Sequence, residues 1–271
     1  MKEKDVPYSV LQRLYMAKST TQYMFWYAHG VCHDKLMITD LADAIAWKQF
    51  DTTYPMFAQE PRNVCLGLCT NGFNPFGGSP TPYLCWPIFV TPYNLPPSMC
   101  MRREYIFFSL LIPGPKSPGK SLYVYLRPLI DDLKILWEDG VNTFDTRKKQ
   151  NFNMKVALLW TISDFPAYGM LNSWSTYGKL ACPYCKEHNK SFVLKHSRKC
   201  YWFDYHRQYL PLEYSFRRDQ YSFKNSTIER SLPPQRLNGI EIMSRVSQLK
   251  DFIFGLNSHN EKQHGFGKVH T

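Results

Sequence analysis

Strand, strand, strand, helix, strand is the order of elements through the middle of this sequence. It predicts an α/β fold with a mixed sheet and flanking helices. Three observations carry that expectation. Apolar runs of strand length follow one another at residues 64–70, 83–90 and 105–112, each bounded by turn formers or proline. Leu122, Leu126, Leu129, Ile130, Leu133, Leu136 and Trp137 then recur at three- and four-residue spacing, the period of an amphipathic helix. A fourth apolar run, "NFNMKVALLWTIS", ends at Asp164, before Phe165-Pro166.

The chain preceding the first strand reads as helical. Asp40 can cap "LADAIAWKQF", in which Leu41, Ile45 and Trp47 suggest a partly apolar face. The loop "PGPKSPG" stops the third strand. Pro128 interrupts the long helical pattern, so a start near Arg127 or a kink is expected, and Gly140 can terminate it. A last helix is expected at "GIEIMSRVSQLKDFIFG", with Asn238 as its cap. The expected organisation is a helical segment over 1–60, a sheet core over 61–170, a Cys/His-rich insertion over 171–220, and a C-terminal helix and polar tail over 221–271.

Composition narrows the classes. Lys and Arg total 33 against 22 acids, a formal charge of +11 that favours a polyanionic partner such as a nucleic acid. The 16% aromatic content can build a core or platforms for stacked bases. No stretch reaches the length of a membrane span, and the N-terminus has no apolar core of signal type, so a soluble intracellular protein is expected. Eight cysteines in that setting read as reduced thiols or metal ligands, not as a disulfide framework.

The strand order is also the opening of a ribonuclease-H-like fold. There the first and fourth strands lie side by side, and carboxylates at their ends hold divalent metals for phosphodiester chemistry. Hard Mg²⁺ needs anionic oxygen ligands. Asp164 stands where one such acid is needed, but the first strand ends in Asn71, a neutral amide. Each residue also has a plainer reading: Asn71-Gly72 as a hairpin turn, and Asp164 as a turn or capping Asp.

Long ordered segments bear on that choice. They include "FAQEPRNVCLGLCTNGFNPFG", "WPIFVTPYNLPPSMCM", "LLIPGPKSPG", "VYLRPLIDDLKILWEDGV", "ALLWTISDFPAYGMLNSWSTYGKLACPYC" and "YHRQYLPLEYSFRR". Through them the chain resembles the transposases of plant CACTA (En/Spm-like) DNA transposons. The resemblance implies a ribonuclease-H-like core that uses three acids and Mg²⁺ to cut transposon ends and join them to target DNA. It further implies that Asn71 replaces the first acid, that Asp164 corresponds to the second, and that the third lies in a segment this chain does not show. Nuclear localisation and a DNA partner follow from the same resemblance, and strand cleavage by this chain is not expected. A zinc-stabilised DNA-binding module or regulator is the alternative.

"CPYC" sets Cys182 and Cys185 at zinc-knuckle spacing, with His188, His196, Cys200 and His206 downstream. The resemblance implies the cysteine pair plus His206 as ligands to a structural zinc, and places Tyr214 where a further histidine is expected. Cys200 or His196 could complete the set. The competing reading is a pair of reduced thiols without metal. Basic pairs and triplets at Arg102-Arg103, Arg147-Lys148-Lys149, Arg198-Lys199 and Arg217-Arg218 could meet phosphates or simply be solvated.

Overall fold

A computed structural model describes residues 7–29, 40–77, 83–172, 174–182, 184–235 and 237–247. The chain divides into two compact units. The first comprises residues 1–118 and 123–164. Its helices are α1 (Pro7–Met16), α2 (Lys18–Thr21), α3 (Trp26–His29), α4 (Ile45–Thr53), α5 (Pro55–Ala58), α6 (Pro97–Cys100) and α7 (Leu122–Glu138), which begins in the other unit. Its strands are β1 (Val64–Thr70), β2 (Trp86–Pro92), β3 (Phe107–Ile112), β4 (Val141–Asp145), β5 (Gln150–Met154) and β6 (Val156–Ser163).

The central sheet has the order β3-β2-β1-β6. β1 is antiparallel to β2 and parallel to β6, so the sheet is mixed, as the element order predicts. β1 is covered on both faces, which is why "VCLGLCT" is apolar up to its terminal Thr70 instead of alternating. On one face Cys65 and Ala157 pack with Trp47, Phe57 and Tyr93, and Phe50, Trp137 and Trp160 close around them. Tyr93 leans on Gly67, where any Cβ would overlap its phenol. Gly67→Ala is therefore expected to cost about 1–3 kcal/mol, read as a lower midpoint in urea unfolding.

Two sequence expectations change. The run "NFNMKVALLWTIS" is two strands, not one. β5 closes a separate antiparallel hairpin with β4, and the chain crosses to the main sheet at Lys155. Asn63 makes that break possible. Its buried amide accepts the Lys155 N–H at 2.8 Å and donates to the Phe57 carbonyl at 2.9 Å. The second change is Pro128, which neither starts nor ends a helix, because α7 runs through it. Pro128 sits on the exposed side, so the Val124 carbonyl it leaves unbonded can be hydrated. Leu126, Leu129, Leu133 and Leu136 form the buried stripe of the same helix.

Asp40 caps as expected, accepting the Ala42 N–H at 2.9 Å. It starts a 3-10 turn over Leu41–Asp43, and α4 follows one residue later.

The second unit comprises residues 119–122 and 165–271. It holds α8 (Phe165–Leu171), a short hairpin of β7 (Phe192–Val193) and β8 (Cys200–Tyr201), and a 3-10 segment over Phe203–Tyr209. α9 (Ser215–Arg218) and α10 (Gly239–Ser247) follow. Two buried arginines tie its loops together. Arg207 donates to the carbonyls of Asp204, Phe216, Asp219 and Thr227, and Arg217 donates to those of Arg207, Leu210 and Ser231. Asn238 caps α10 in a reciprocal box with Glu241, at 2.9 and 2.7 Å. Residues 248–255 of the expected last helix lie outside the described residues. No helix among the described residues is long and apolar enough to cross a membrane.

Candidate functional site at the end of the parallel strand pair

β1 and β6 run in the same direction, and their last registered pair is Thr70 with Ser163. Asn71 and Asp164 directly follow these two strand ends, so the parallel pairing brings them out at the same end of the sheet. The ladder carries one irregularity. Leu66 pairs with Leu158 but Gly67 pairs with Trp160, so Leu159 bulges out. Beyond it, Gly67 and Cys69 face Trp160 and Ile162. By the two-residue alternation of strands, Asn71 and Asp164 belong to that same sheet face, at its open end. Both are exposed.

Asn71-Gly72 is not the tight hairpin turn that its sequence would allow. Phe73 and Cys85 exchange both backbone hydrogen bonds, at 2.9 and 3.0 Å, so the β1–β2 pairing resumes beyond it. Position 71 falls opposite Pro87, which has no N–H to donate, and the ladder is interrupted there. Gly72 is required by contact: a Cβ would lie 2.7 Å from the Trp86 ring. Asp164 sits between the last residue of β6 and the first of α8, a capping position as well as a strand end. On the opposite face two buried polar atoms, Trp86 Nε1 and Ser163 Oγ, have no hydrogen-bond partner among the described residues.

Another acid of the first unit is remote from this end. Glu60 precedes β1, and the seven residues of that strand separate it from Asn71 by roughly 20 Å. Its carboxylate is held by Arg62 at 2.6 and 2.7 Å. Burial alone would raise the Glu60 pKa, but the Arg62 hydrogen bonds and charge bring it below the usual value. The fully buried Asp145 belongs to the same cluster. Its Oδ2 lies 3.7 Å from Arg62, and its Oδ1 accepts from Thr21 and from the N–H groups of Arg147 and Lys148. Nothing in the sequence marks Asp145, which stands in a polar hairpin strand beside three cations.

In the second unit, Cys182 and Cys185 share one turn. The Lys186 N–H donates to the Cys182 carbonyl at 2.8 Å, and the Cys185 N–H points at Cys182 Sγ at 3.3 Å. Cys185 Sγ lies 2.7 Å from the Tyr209 hydroxyl. His206 is on the same 3-10 segment as Tyr209, and their rings are 6.3 Å apart. Cys200 is half-buried on β8. Among the described residues no three His, Cys, Asp or Glu side chains gather closely enough to hold a metal. Tyr209 is the neighbour the sequence reading missed.

Burial is the main cause that pushes the Cys185 thiol up to about 11, and Cys182 adds to it against the Tyr209 bond. A raised thiol favours the neutral form, so its contribution to folding is intact below the ordinary cysteine value and is lost as pH rises through about 11. In the metal-free chain, iodoacetamide at pH 8 is expected to leave the buried Cys185 largely unmodified and to reach the half-buried Cys182 first, as resolved by peptide mapping.

The basic clusters divide by burial. Residues 147–149 form the exposed tip of the β4–β5 hairpin, with Lys149 at φ 53°. Residues 196–199 are the exposed tip of the β7–β8 hairpin, with Arg198 at φ 52°. Arg217 departs from expectation: it is buried and spends its donors on carbonyls, so only Arg218 of that pair faces solvent.

The fold and site define an α/β protein whose parallel strand pair ends in an exposed amide and carboxylate. Residues 35–249 match the model of the transposase family tnp2, and the chain belongs to that family. Searches of curated proteins and of solved structures give no match.

Proposed function

We propose that this chain is a transposon-derived protein of the CACTA (En/Spm-like) group of plants. On this reading its sheet is ribonuclease-H-like and its catalytic acid pair is broken at Asn71. The observation that supports it is the β1–β6 register, which brings the two parallel strands to a common end at Thr70 and Ser163, with positions 71 and 164 next in the chain. Two divalent metals need several anionic oxygens between them. The pair supplies one carboxylate and one neutral amide, and Glu60 is committed to Arg62 at the far end of β1. The donors do not fit a two-metal centre, so no cleavage step is assigned to this chain. The test is a nicking assay on terminal-repeat DNA with Mg²⁺. Metal-dependent nicks that disappear in Asp164→Ala would refute the proposal.

The function that remains on this reading is DNA binding in the nucleus. Its support is the basic tip of the β4–β5 hairpin, which is anchored from below by the buried Arg62–Asp145 pair. Replacing Arg147, Lys148 and Lys149 by alanine is expected to weaken DNA binding without sequence preference. It should also shrink the slope of log K against log salt by about three phosphate contacts. An unchanged slope would remove the hairpin from the interface.

A structural zinc on Cys182, Cys185, His206 and Cys200 accompanies this proposal, and it requires His206 and Cys200 to draw in toward the cysteine pair on metal binding, since no three such side chains gather among the described residues. The knuckle-like turn, with its N–H directed at Cys182 Sγ, supports it. Metal analysis of the purified chain, with Cys182→Ser as comparison, tests it. Metal-free protein whose stability is indifferent to the substitution would refute it.

A further inference from the structure

We propose that Asn71-Gly72 is a self-modifying site: intramolecular deamidation converts the neutral position 71 into a carboxylate beside Asp164. The first support is chemical. The backbone nitrogen of the following residue can attack the Asn side chain to close a five-membered ring, and glycine leaves that nitrogen unobstructed. The second is structural. Asn71 is exposed, and its side chain makes no hydrogen bond among the described residues. The ladder is interrupted here. Thr70 pairs with Ile88 and the next bridge is Phe73 with Cys85, so the Gly72 N–H makes no backbone bond among the described residues. The third is an internal contrast. The chain contains a second Asn-Gly, Asn238-Gly239. There Asn238 is engaged as a cap, its Oδ1 accepting the Glu241 N–H at 2.9 Å. The same dipeptide is therefore held in one place and released in the other.

The step balances without a redox partner. The Gly72 nitrogen loses its proton to base and attacks Asn71 Cγ. The Cγ–Nδ2 bond breaks, and ammonia leaves. Water then opens the succinimide. Cleavage of the ring bond from Cγ to nitrogen gives aspartate, and cleavage of the ring bond from the main-chain carbonyl carbon gives isoaspartate. In either product, position 71 gains a negative charge. The consequence for metal affinity rests on the acid-pair reading above, whereas the modification itself does not.

The test uses the full chain, incubated at pH 6 and at pH 8 and sampled over time by peptide mapping with isoaspartate quantification. The expected result is conversion at Asn71 ahead of Asn238, faster at pH 8, with both aspartate and isoaspartate peptides formed. Asn71→Gln, whose cyclisation would need a larger ring, is expected to abolish the change at that position. Conversion at Asn238 first, or at Asn71 only after denaturation, would overturn the proposal. Mn²⁺ titration of aged, fresh and Asn71→Asp protein separates the two readings. Deamidation with no gain in Mn²⁺ affinity in either altered form refutes the acid-pair reading and leaves the modification standing.

Discussion

Asn71→Asp is expected to raise the affinity of the first unit for Mn²⁺ by at least about tenfold, a change of about 1.4 kcal/mol. Restoring a formal charge beside Asp164 turns a single carboxylate into a pair on neighbouring parallel strands. Hard divalent cations respond to anionic oxygens far more than to amide carbonyls. Calorimetric titration reads the change directly, and Asp164→Asn in the same background should erase it. Equal affinity in the wild type and in Asn71→Asp would show that the two positions do not share a cation.

Arg62→Met is expected to cost the first unit about 3–5 kcal/mol. Removing the guanidinium strands Asp145, which is 0% exposed. It also frees Glu60 and removes the cation that lies 4.1 Å over the Phe152 ring. The double variant Arg62→Met, Asp145→Asn should recover most of the loss, because the penalty is an uncompensated buried charge more than a lost attraction. Urea unfolding of the three proteins checks this. A single variant no less stable than the double would show that Asp145 is not the burdened group.

The parts of the fold that could be read from sequence are those written in apolar periodicity. β1 is legible over residues 64–70, where it is found, because a doubly covered central strand reads as a nearly continuous apolar run. α7 shows the same clarity through its leucine stripe. The hairpin of β4 and β5 was not legible, since it alternates polar residues around only a few buried ones such as Thr143 and Phe152. The break at Lys155 was hidden for another reason: it depends on an amide contributed by Asn63, 92 positions earlier in the chain. The same holds at the candidate site. The residues at its two strand ends could be named from the element order, but their alignment depends on a ladder irregularity that leaves no mark in the letters. Arg207 and Arg217 were least legible, because a buried arginine that donates to carbonyls reads like any surface cation.

The bulge at Leu159 makes the length of β6 separable from its phase. The strand carries one more residue than its seven-residue partner, and the surplus is taken up at a single point upstream of the tip. Losing Leu159 would therefore leave Asp164 level with position 71, at the expense of that leucine's packing against the aromatic cluster. Losing one residue between Trp160 and Ser163 would instead draw the carboxylate one step back and turn it to the other side of the sheet. Drift in chain length thus keeps the strand ends in phase at one position of this strand and throws them out of phase a few ångströms away.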